Sequence, residues 1–314
     1  MITIEHLTKR YGAKVAVDDL SFSVQPGRVT GFLGPNGSGK STTMRCMLGL
    51  DAPTSGRVLF DGVPYRDLQR PITHVGALLD GKAFHPGRTP RQELAVIAAA
   101  NGISKARVDE MLEYVGLAAV ANKRLKGFSL GMGARLGVAI ALIGAPRVLI
   151  LDEPVNGLDP DGVRWIRSLM RGFAAEGGSV LVSSHLMSEM ALTADDLVIV
   201  GNGRLIASGP IGQFTREAGT AEVIVHGPEV ALIERMLRAE GFAVTLEAAN
   251  DRFKTGYCSV KGTSARAVGH ALAQARLEIW ALEERFPTLE DVFMKVTSAA
   301  QEFTHGEVST HDEK

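Results

Sequence analysis

The stretch Val29-Thr30-Gly31-Phe32-Leu33-Gly34-Pro35-Asn36-Gly37-Ser38-Gly39-Lys40-Ser41-Thr42 constrains what this chain can fold into more than any other. Its apolar start reads as a buried strand, its glycines as a tight turn, and Thr42-Thr43-Met44-Arg45-Cys46-Met47-Leu48 as the opening of a helix. The spacing Gly34-x4-Gly39-Lys40-Ser41 is that of a phosphate cradle, in which glycines let consecutive backbone N–H groups converge on phosphate oxygens. The helix that follows adds the positive end of its dipole. In such a cradle Lys40 reaches the β- and γ-phosphates of a nucleoside triphosphate, and the Ser41 hydroxyl sits on Mg²⁺. A glycine-rich surface loop with a solvated lysine has no need of a strand before it and a helix after it.

The chain around this stretch, 314 residues with 45% hydrophobic content, is long enough for about two domains and a sizeable core. Its net charge of −1 gives no overall basic field of the kind that sequence-independent nucleic-acid binding needs, so no nucleic acid is expected as a partner. The cysteines Cys46 and Cys258 are expected as buried thiols, Cys46 on the helix behind the phosphate loop. The start Met1-Ile2-Thr3-Ile4-Glu5-His6 carries no charged-then-apolar leader pattern, and no apolar run approaches the ~20 residues of a membrane helix. The best of them, Val138 to Leu151, is broken by Gly144, Pro146 and Arg147. Any membrane role is therefore expected to come through a partner.

Residues 1–30 alternate apolar and polar positions (Ile2, Ile4; Leu20, Phe22, Val24) about the turn Tyr11-Gly12-Ala13-Lys14, which reads as antiparallel strands. Tyr11 is of the type that stacks on a purine, and equally of the type that half-buries in a sheet. Beyond the cradle, Gly56 to Gly62 reads as a strand closed by Asp61-Gly62, and His74 to Leu79 as another. Asp80-Gly81-Lys82 then opens a loop. From Arg91 to Val120 the apolar spacing is helical (Leu94, Ile97, Ala98; Val108, Met111, Leu112, Val115).

Arg147-Val148-Leu149-Ile150-Leu151-Asp152-Glu153-Pro154 puts two carboxylates after four apolar β-formers, the pattern of a central parallel strand that delivers acids to a ligand crevice. There Asp152 would hold Mg²⁺ and Glu153 would orient or deprotonate an attacking water. A third strand, Ser179 to Ser184, ends at His185. Such a histidine either caps the chain structurally or, at the tip of a strand parallel to the others, reaches the γ-phosphate or the water. Asp196 to Val200 and Arg204 to Gly209 continue the sheet.

With these pieces laid out, residues 1 to about 215 resemble the ATP-binding subunits of ABC transporters. The match comprises Tyr11 as adenine-stacking residue, Gly34 to Thr42 (Gly34, Pro35, Asn36, Gly37, Ser38, Gly39, Lys40, Ser41, Thr42) as Walker A, Phe128-Ser129-Leu130-Gly131-Met132 as signature, Leu149 to Glu153 as Walker B, Gly157-Leu158-Asp159 as D-loop and His185 as switch histidine. Val75 to Asp80 together with the Phe128 to Met132 stretch is most similar to the antibiotic-resistance branch of bacterial exporters. The resemblance implies an α/β P-loop ATPase domain over 1–215, with a mixed-sheet core, an antiparallel β subdomain and a helical insert at about 81–145. It implies ATP and Mg²⁺ as ligands, a homodimer, a separate multi-span membrane permease, and a cytoplasmic place on the inner face of the membrane. It also implies that Ser129, Gly131 and Asp159 act across the dimer, on the nucleotide bound to the other copy's Walker A. Two departures from the family pattern stand out. Leu130 and Met132 replace a glycine and the glutamine of the signature, and Asp80 stands where the family has a Mg²⁺-binding glutamine, adding a negative charge beside Asp152 and Glu153.

Beyond Gly209-Pro210 the pattern changes. Ala221 to His226 reads as a strand, Glu229 to Ala239 as a helix, Phe242 to Glu247 and Phe253 to Val260 as a hairpin about Asn250-Asp251, Ser264 to Ala275 as a helix, and Glu278 to Glu284 as a strand. This is the split βαβ order of a ferredoxin-like module, expected over 216–299 as a docking or dimer-supporting domain. Thr288 with Asp291 would cap a last helix bearing Leu289, Val292, Phe293 and Val296, and the polar residues 300–314 are expected to be a mobile tail. Two rival functions fit a cradle of this kind: a soluble ABC ATPase acting on ribosomes or DNA, and a nucleotide-gated regulator. The former group commonly carries two cassettes, a long coiled-coil insertion or zinc cysteines, none of which this sequence shows.

Overall fold

The computed structural model describes residues 1–79, 84–217 and 222–285. They fall into two compact units, residues 1–211 and a second that begins at Gly212. In chain order the first runs β1 (Ile2–Tyr11), β2 (Lys14–Val24), β3 (Arg28–Leu33), α1 (Lys40–Met47), β4 (Ser55–Phe60), β5 (Val75–Leu78), α2 (Pro90–Ala100), α3 (Lys105–Tyr114), α4 (Leu130–Leu142), β6 (Val148–Leu151), α5 (Pro160–Ala175), β7 (Ser179–Ser184), α6 (Met187–Thr193), β8 (Asp196–Gly201) and β9 (Arg204–Pro210). The helix α7 (Ile211–Glu217) follows.

The alternation of the first strands folds as expected. β1 lies between β2 and β4 in an antiparallel sheet that buries Ile2, Ile4, Leu7, Leu20, Phe22 and Val24. Each such side chain contributes about 1.5–3 kcal/mol by leaving water. The central sheet has the order β5-β6-β7-β3-β8-β9, parallel from β5 to β8 and antiparallel at β9. β6 and β7 are buried along their whole length, as continuous apolar runs in parallel sheets are. Phe32 of β3, fully buried, stacks at 5.3 Å on Phe22 and so joins the two sheets.

Between β5 and β6 the chain leaves the sheet for α2, α3 and α4, the helical region expected there. α2 opens on a reciprocal cap: the Thr89 hydroxyl accepts from the Gln92 N–H, and the Gln92 side chain accepts from the Thr89 N–H. α4 returns to the sheet through a close backbone approach at Gly76 of β5. A Cβ there would stand 2.0 Å from the Ala141 carbonyl oxygen. Helix α5, of 16 residues, was not anticipated from sequence; Asp159 caps it and Pro160 occupies its first turn, a start signal that the apolar pattern alone does not carry.

The second unit holds β10 (Glu222–His226), α8 (Val230–Ala239), β11 (Ala243–Glu247), β12 (Tyr257–Lys261), α9 (Ala265–Gln274) and β13 (Ala281–Arg285). Its strands form an antiparallel sheet in the order β11-β12-β10-β13. Ile233 and Leu237 of α8 and Val268 and Leu272 of α9 pack with Val223, Val225, Cys258 and Val260 of the strands into one apolar core. Cys46 and Cys258 are both buried free thiols, as expected. β12 starts at Tyr257, four residues later than the apolar letters suggest. The Asn250 side chain accepts from the N–H groups of Arg252 and Phe253, and the Gly256 N–H donates to the Phe253 carbonyl, so this segment turns instead of pairing. The expected helix after Thr288 and the tail 300–314 lie outside the described residues. Among the described residues no helix is long and apolar enough to cross a membrane.

The Gly76 contact makes a stability prediction. Gly76→Ala is expected to cost about 1–3 kcal/mol, because backbone rather than a flexible side chain must give way. Gly172→Ala, in α5 with open space around it, is expected to be neutral or to stabilise by up to about 1 kcal/mol. Thermal unfolding of the two variants checks the contrast.

Candidate nucleotide site

Parallel pairing brings the ends of β3, β6 and β7 together, with Leu33 opposite Ser184 and Leu151 opposite Val182. From these ends come the cradle, the two acids and the histidine. The cradle needs glycine at two positions for steric reasons. A Cβ on Gly34 would lie 2.4 Å from the Val200 carbonyl oxygen, and one on Gly39, whose φ is +99°, would lie 2.5 Å from that of Ala16. Gly39 also starts α1 with no side-chain cap, whereas α2, α3, α5 and α9 open on the side chains of Thr89, Ser104, Asp159 and Ser264. The first turn of α1 thus presents its N–H groups and dipole to the loop.

Lys40 is only 6% exposed. Its ammonium donates to the carbonyls of Gly34 at 2.7 Å and Pro35 at 3.2 Å, and lies 3.9 Å from Glu153 Oε1. Burial pulls its pKa below the ordinary lysine value, and the nearby Glu153 and Asp152 partly oppose that. The other carboxylate oxygen of Glu153 pairs with His185 Nδ1 at 2.8 Å. Glu153 therefore stands between the lysine of the cradle and the histidine of the third strand.

A cleft of about 290 Å³ joins Tyr11, Asn36, Lys40, Ser41, Thr42 and Glu153. The structure thus gathers Tyr11 of β1, residues of the cradle and Glu153, the second of the two acids, around one space. The Tyr11 hydroxyl donates to Asp51 at 2.8 Å, which raises the phenol's pKa, and Asp51 is held in turn by Arg45 of α1 at 2.7 Å. Lys9 Nζ sits 4.7 Å from the centre of the Tyr11 ring. The Ser38 hydroxyl is buried with no hydrogen-bond partner in the protein. A glycine cradle, a buried cation, an uncapped helix start and an orphaned hydroxyl together fit a polyphosphate. Ser41 and Asp152 offer oxygen donors, the chemistry Mg²⁺ takes when nucleotide and water supply its other ligands. Among the described residues no group of three or more His, Cys, Asp or Glu could hold a metal by itself.

The remaining expected residues lie elsewhere. Ser129 caps α4, accepting from the Met132 N–H at 3.2 Å, and lines a different groove of about 280 Å³ with Phe84, Pro86, Leu125, Phe128 and Leu130. Asp159 caps α5, accepting from the Gly162 N–H at 2.8 Å. A Cβ on Gly131 would touch Leu158, and one on Gly157 would come 2.6 Å from Leu130 Cδ1, so the signature stretch and the loop before α5 pack on each other. Asp80 lies outside the described residues.

Sequence reading gave no role to Ser183, which bonds to both acids, nor to Asp51, which accepts from the Tyr11 hydroxyl, and Arg45, which holds Asp51. Ser183 does leave a trace: it is a polar residue directly after the apolar run Val180-Leu181-Val182.

Fold and cleft define a P-loop nucleotide-binding protein of the α/β class. Among known families, residues 17–156 match ABC transporter. The bacitracin transport ATP-binding protein BcrA of Bacillus licheniformis is 40% identical over 219 residues, 69% of this chain and 72% of that one. The Nod factor export ATP-binding protein I of Paraburkholderia xenovorans is 35% identical over 303 residues, 94% of this chain and 96% of that one, a likeness that runs on through the second unit. Dimeric MJ0796, a solved bacterial ABC transporter cassette, has the same fold, with TM-score 0.62 at 22% identity over 67% of this chain and 99% of that one. The chain belongs to the ABC transporter ATP-binding family, and it is an ABC ATPase, an enzyme that hydrolyses ATP.

Lys40 supplies a test of this electrostatic arrangement. Its pKa is lower folded than unfolded, so between the two values the unfolded chain holds more protons and stability rises with pH; below both, the buried charge costs stability. Lys40→Met, similar in length and uncharged, is expected to melt no lower than the parent at pH 7, with any advantage narrowing as pH rises toward the lysine range. It is also expected to lose ATP binding. Thermal melts across pH, with a fluorescent ATP analogue as binding probe, check both.

Proposed function

We propose that this ATPase is the energising subunit of a two-component ABC exporter, working as a homodimer on a separate multi-span membrane permease and moving a drug-like or lipid-like compound. The observation that carries the hydrolytic part is Glu153, held between Lys40 and His185 at the mouth of the cradle. The exporter part is supported by the relatives, one named for transport of bacitracin and one for export of Nod factor. The dimer is supported by the dimeric cassette of the same fold. A chain acting through such a permease sits in the cytoplasm, on the inner face of the membrane.

In this reading Tyr11 stacks on the adenine, and the backbone of Gly34, Pro35, Asn36, Gly37, Ser38 and Gly39 cradles the phosphates. Lys40 holds the β- and γ-phosphates, with Thr42 beside them. Ser41 and Asp152, with Asp80 joining them, would hold Mg²⁺, which supplies positive charge to the phosphate oxygens. Glu153 orients a water whose oxygen bonds to the γ-phosphorus while the bond to the β–γ bridging oxygen breaks, and it takes the water's proton. His185 keeps Glu153 aimed and faces the γ-phosphate. Ser129, Gly131 and Asp159 meet the nucleotide bound to the partner copy, so ATP holds two chains together and its cleavage releases them.

The domain boundary falls at about 215, with a ferredoxin-like accessory domain beyond it that docks or supports the dimer. The strand order β11-β12-β10-β13 with two helices supports that class.

Glu153→Gln is expected to bind ATP like the parent, to hydrolyse it at least about 100-fold more slowly, and to accumulate as an ATP-bound dimer. Turnover assays with size-exclusion chromatography in ATP read all three, and normal turnover in this variant removes Glu153 from its role. Cosedimentation with a membrane protein that stimulates ATP hydrolysis tests the exporter reading.

A further inference from the structure

Ser183 is fully buried in β7, between the paired strands β6 and β3. Its neighbours Val180, Leu181 and Val182 are buried apolar residues, a setting in which a hydroxyl is costly unless both its hydrogen and its oxygen are used. Both are. The hydroxyl donates to Asp152 Oδ1 at 2.5 Å and accepts from the Glu153 N–H at 2.8 Å. The parallel register accounts for the reach: Leu151 pairs with Val182, so Ser183 stands beside the point where β6 ends and the two acids begin.

Two features of the acids lie at this one group. Glu153 has φ of +49°, a left-handed backbone that a glutamate adopts only where its surroundings impose it. That turn aims its side chain at Lys40 and His185. Asp152 has one carboxylate oxygen tied to Ser183. An ionised carboxylate has a second oxygen with its own lone pairs, and fixing the first fixes where the second points.

We propose that Ser183 is a positioning residue for hydrolysis, a single hydroxyl that sets the Asp152 carboxylate and the left-handed turn at Glu153 together. This rests on the roles given to Asp152 and Glu153 above. Among the described residues the Ser183 hydroxyl bonds to Asp152 and Glu153 and to no residue of the phosphate cradle, so its loss is expected to affect the chemical step and to leave nucleotide capture alone. A hydroxyl is needed because alanine supplies neither bond.

The test compares Ser183→Ala and Ser183→Thr, each alone and in the Glu153→Gln background, by turnover, by binding of a fluorescent ATP analogue with and without Mg²⁺, and by thermal melting. Ser183→Ala is expected to lose about tenfold or more in kcat with a much smaller change in KM for ATP, the pattern of an interaction used mainly in the transition state. Its analogue affinity without Mg²⁺ is expected to match the parent's, and any effect of Mg²⁺ on that affinity is expected to shrink. Ser183→Thr keeps the hydroxyl and is expected to recover most of the turnover. In the Glu153→Gln background Ser183→Ala is expected to add less loss than it causes alone, because one of the two groups it positions is already gone while Asp152 remains. Parental kcat in Ser183→Ala, equal impairment of the alanine and threonine variants, or full additivity with Glu153→Gln overturns the proposal. Normal turnover in Glu153→Gln alone instead overturns the assignment of the base, and the two failures are told apart by that variant.

Discussion

The parallel register of β6, β7 and β3 is the constraint on which the cleft depends. Side chains that converge on a triphosphate must come from chain segments far apart in sequence, and only a shared level of strand ends brings them together without strain elsewhere. Leu33, Leu151 and Ser184 end their strands in that register, and the residues that follow each supply the cradle, the acids and the histidine. A slip of one residue in β6 would move Asp152 away from Ser183 and turn its side chain to the other face of the sheet. Buried valines, leucines and isoleucines on these strands hold the register, so the core serves the site directly.

Within that frame the site is a balance of buried charge. Lys40 lies where water cannot screen it, and its pKa falls accordingly. The cost is limited by the Gly34 and Pro35 carbonyls and by Glu153, whose own carboxylate is shared with His185. Each group therefore limits the geometry of the next. The chain of contacts runs from Lys40 through Glu153 to His185, and from the Glu153 backbone through Ser183 to Asp152. Groups tied in one such network act together, and substitutions among them combine non-additively.

Most of this was legible in the sequence because the strongest signals are local. A glycine cradle needs its spacing within a few residues, and the acids follow an unbroken apolar run that reads as a central strand. The alternation of β1 and β2 was equally plain, since one face of their sheet is buried and the other is not. What escaped depends on tertiary partners. Asp51 and Arg45 look like surface charges until Tyr11 is placed beside them by the sheet, and Ser183 looks like strand filler until register puts it against Asp152. Helix α5 escaped for another reason. Its repeat Val163, Ile166, Leu169, Met170, Phe173 and its Asp159-Pro160 start are both present in the sequence, but the functional motifs on either side drew the reading past them. The late start of β12 reflects Asn250, whose side chain competes with the ladder for backbone N–H groups.

The residues proposed to meet the partner copy's nucleotide each have a second duty, and the two duties are compatible. The Ser129 oxygen accepts from the Met132 N–H, which leaves its hydrogen available to a phosphate oxygen; Asp159 caps with Oδ1 and keeps a second carboxylate oxygen. Capping thus fixes the direction in which each remaining polar atom points. The leucine at position 130 adds a link that a glycine there would not provide. Its side chain lies over Gly157, where a Cβ would stand 2.6 Å from Leu130 Cδ1, so the start of α4 and the loop leading to Asp159 form one packed surface. The departure from the usual signature at position 130 thus adds a packing contact between the two elements, while Ser129 and Gly131, the residues proposed to meet the nucleotide, are unchanged.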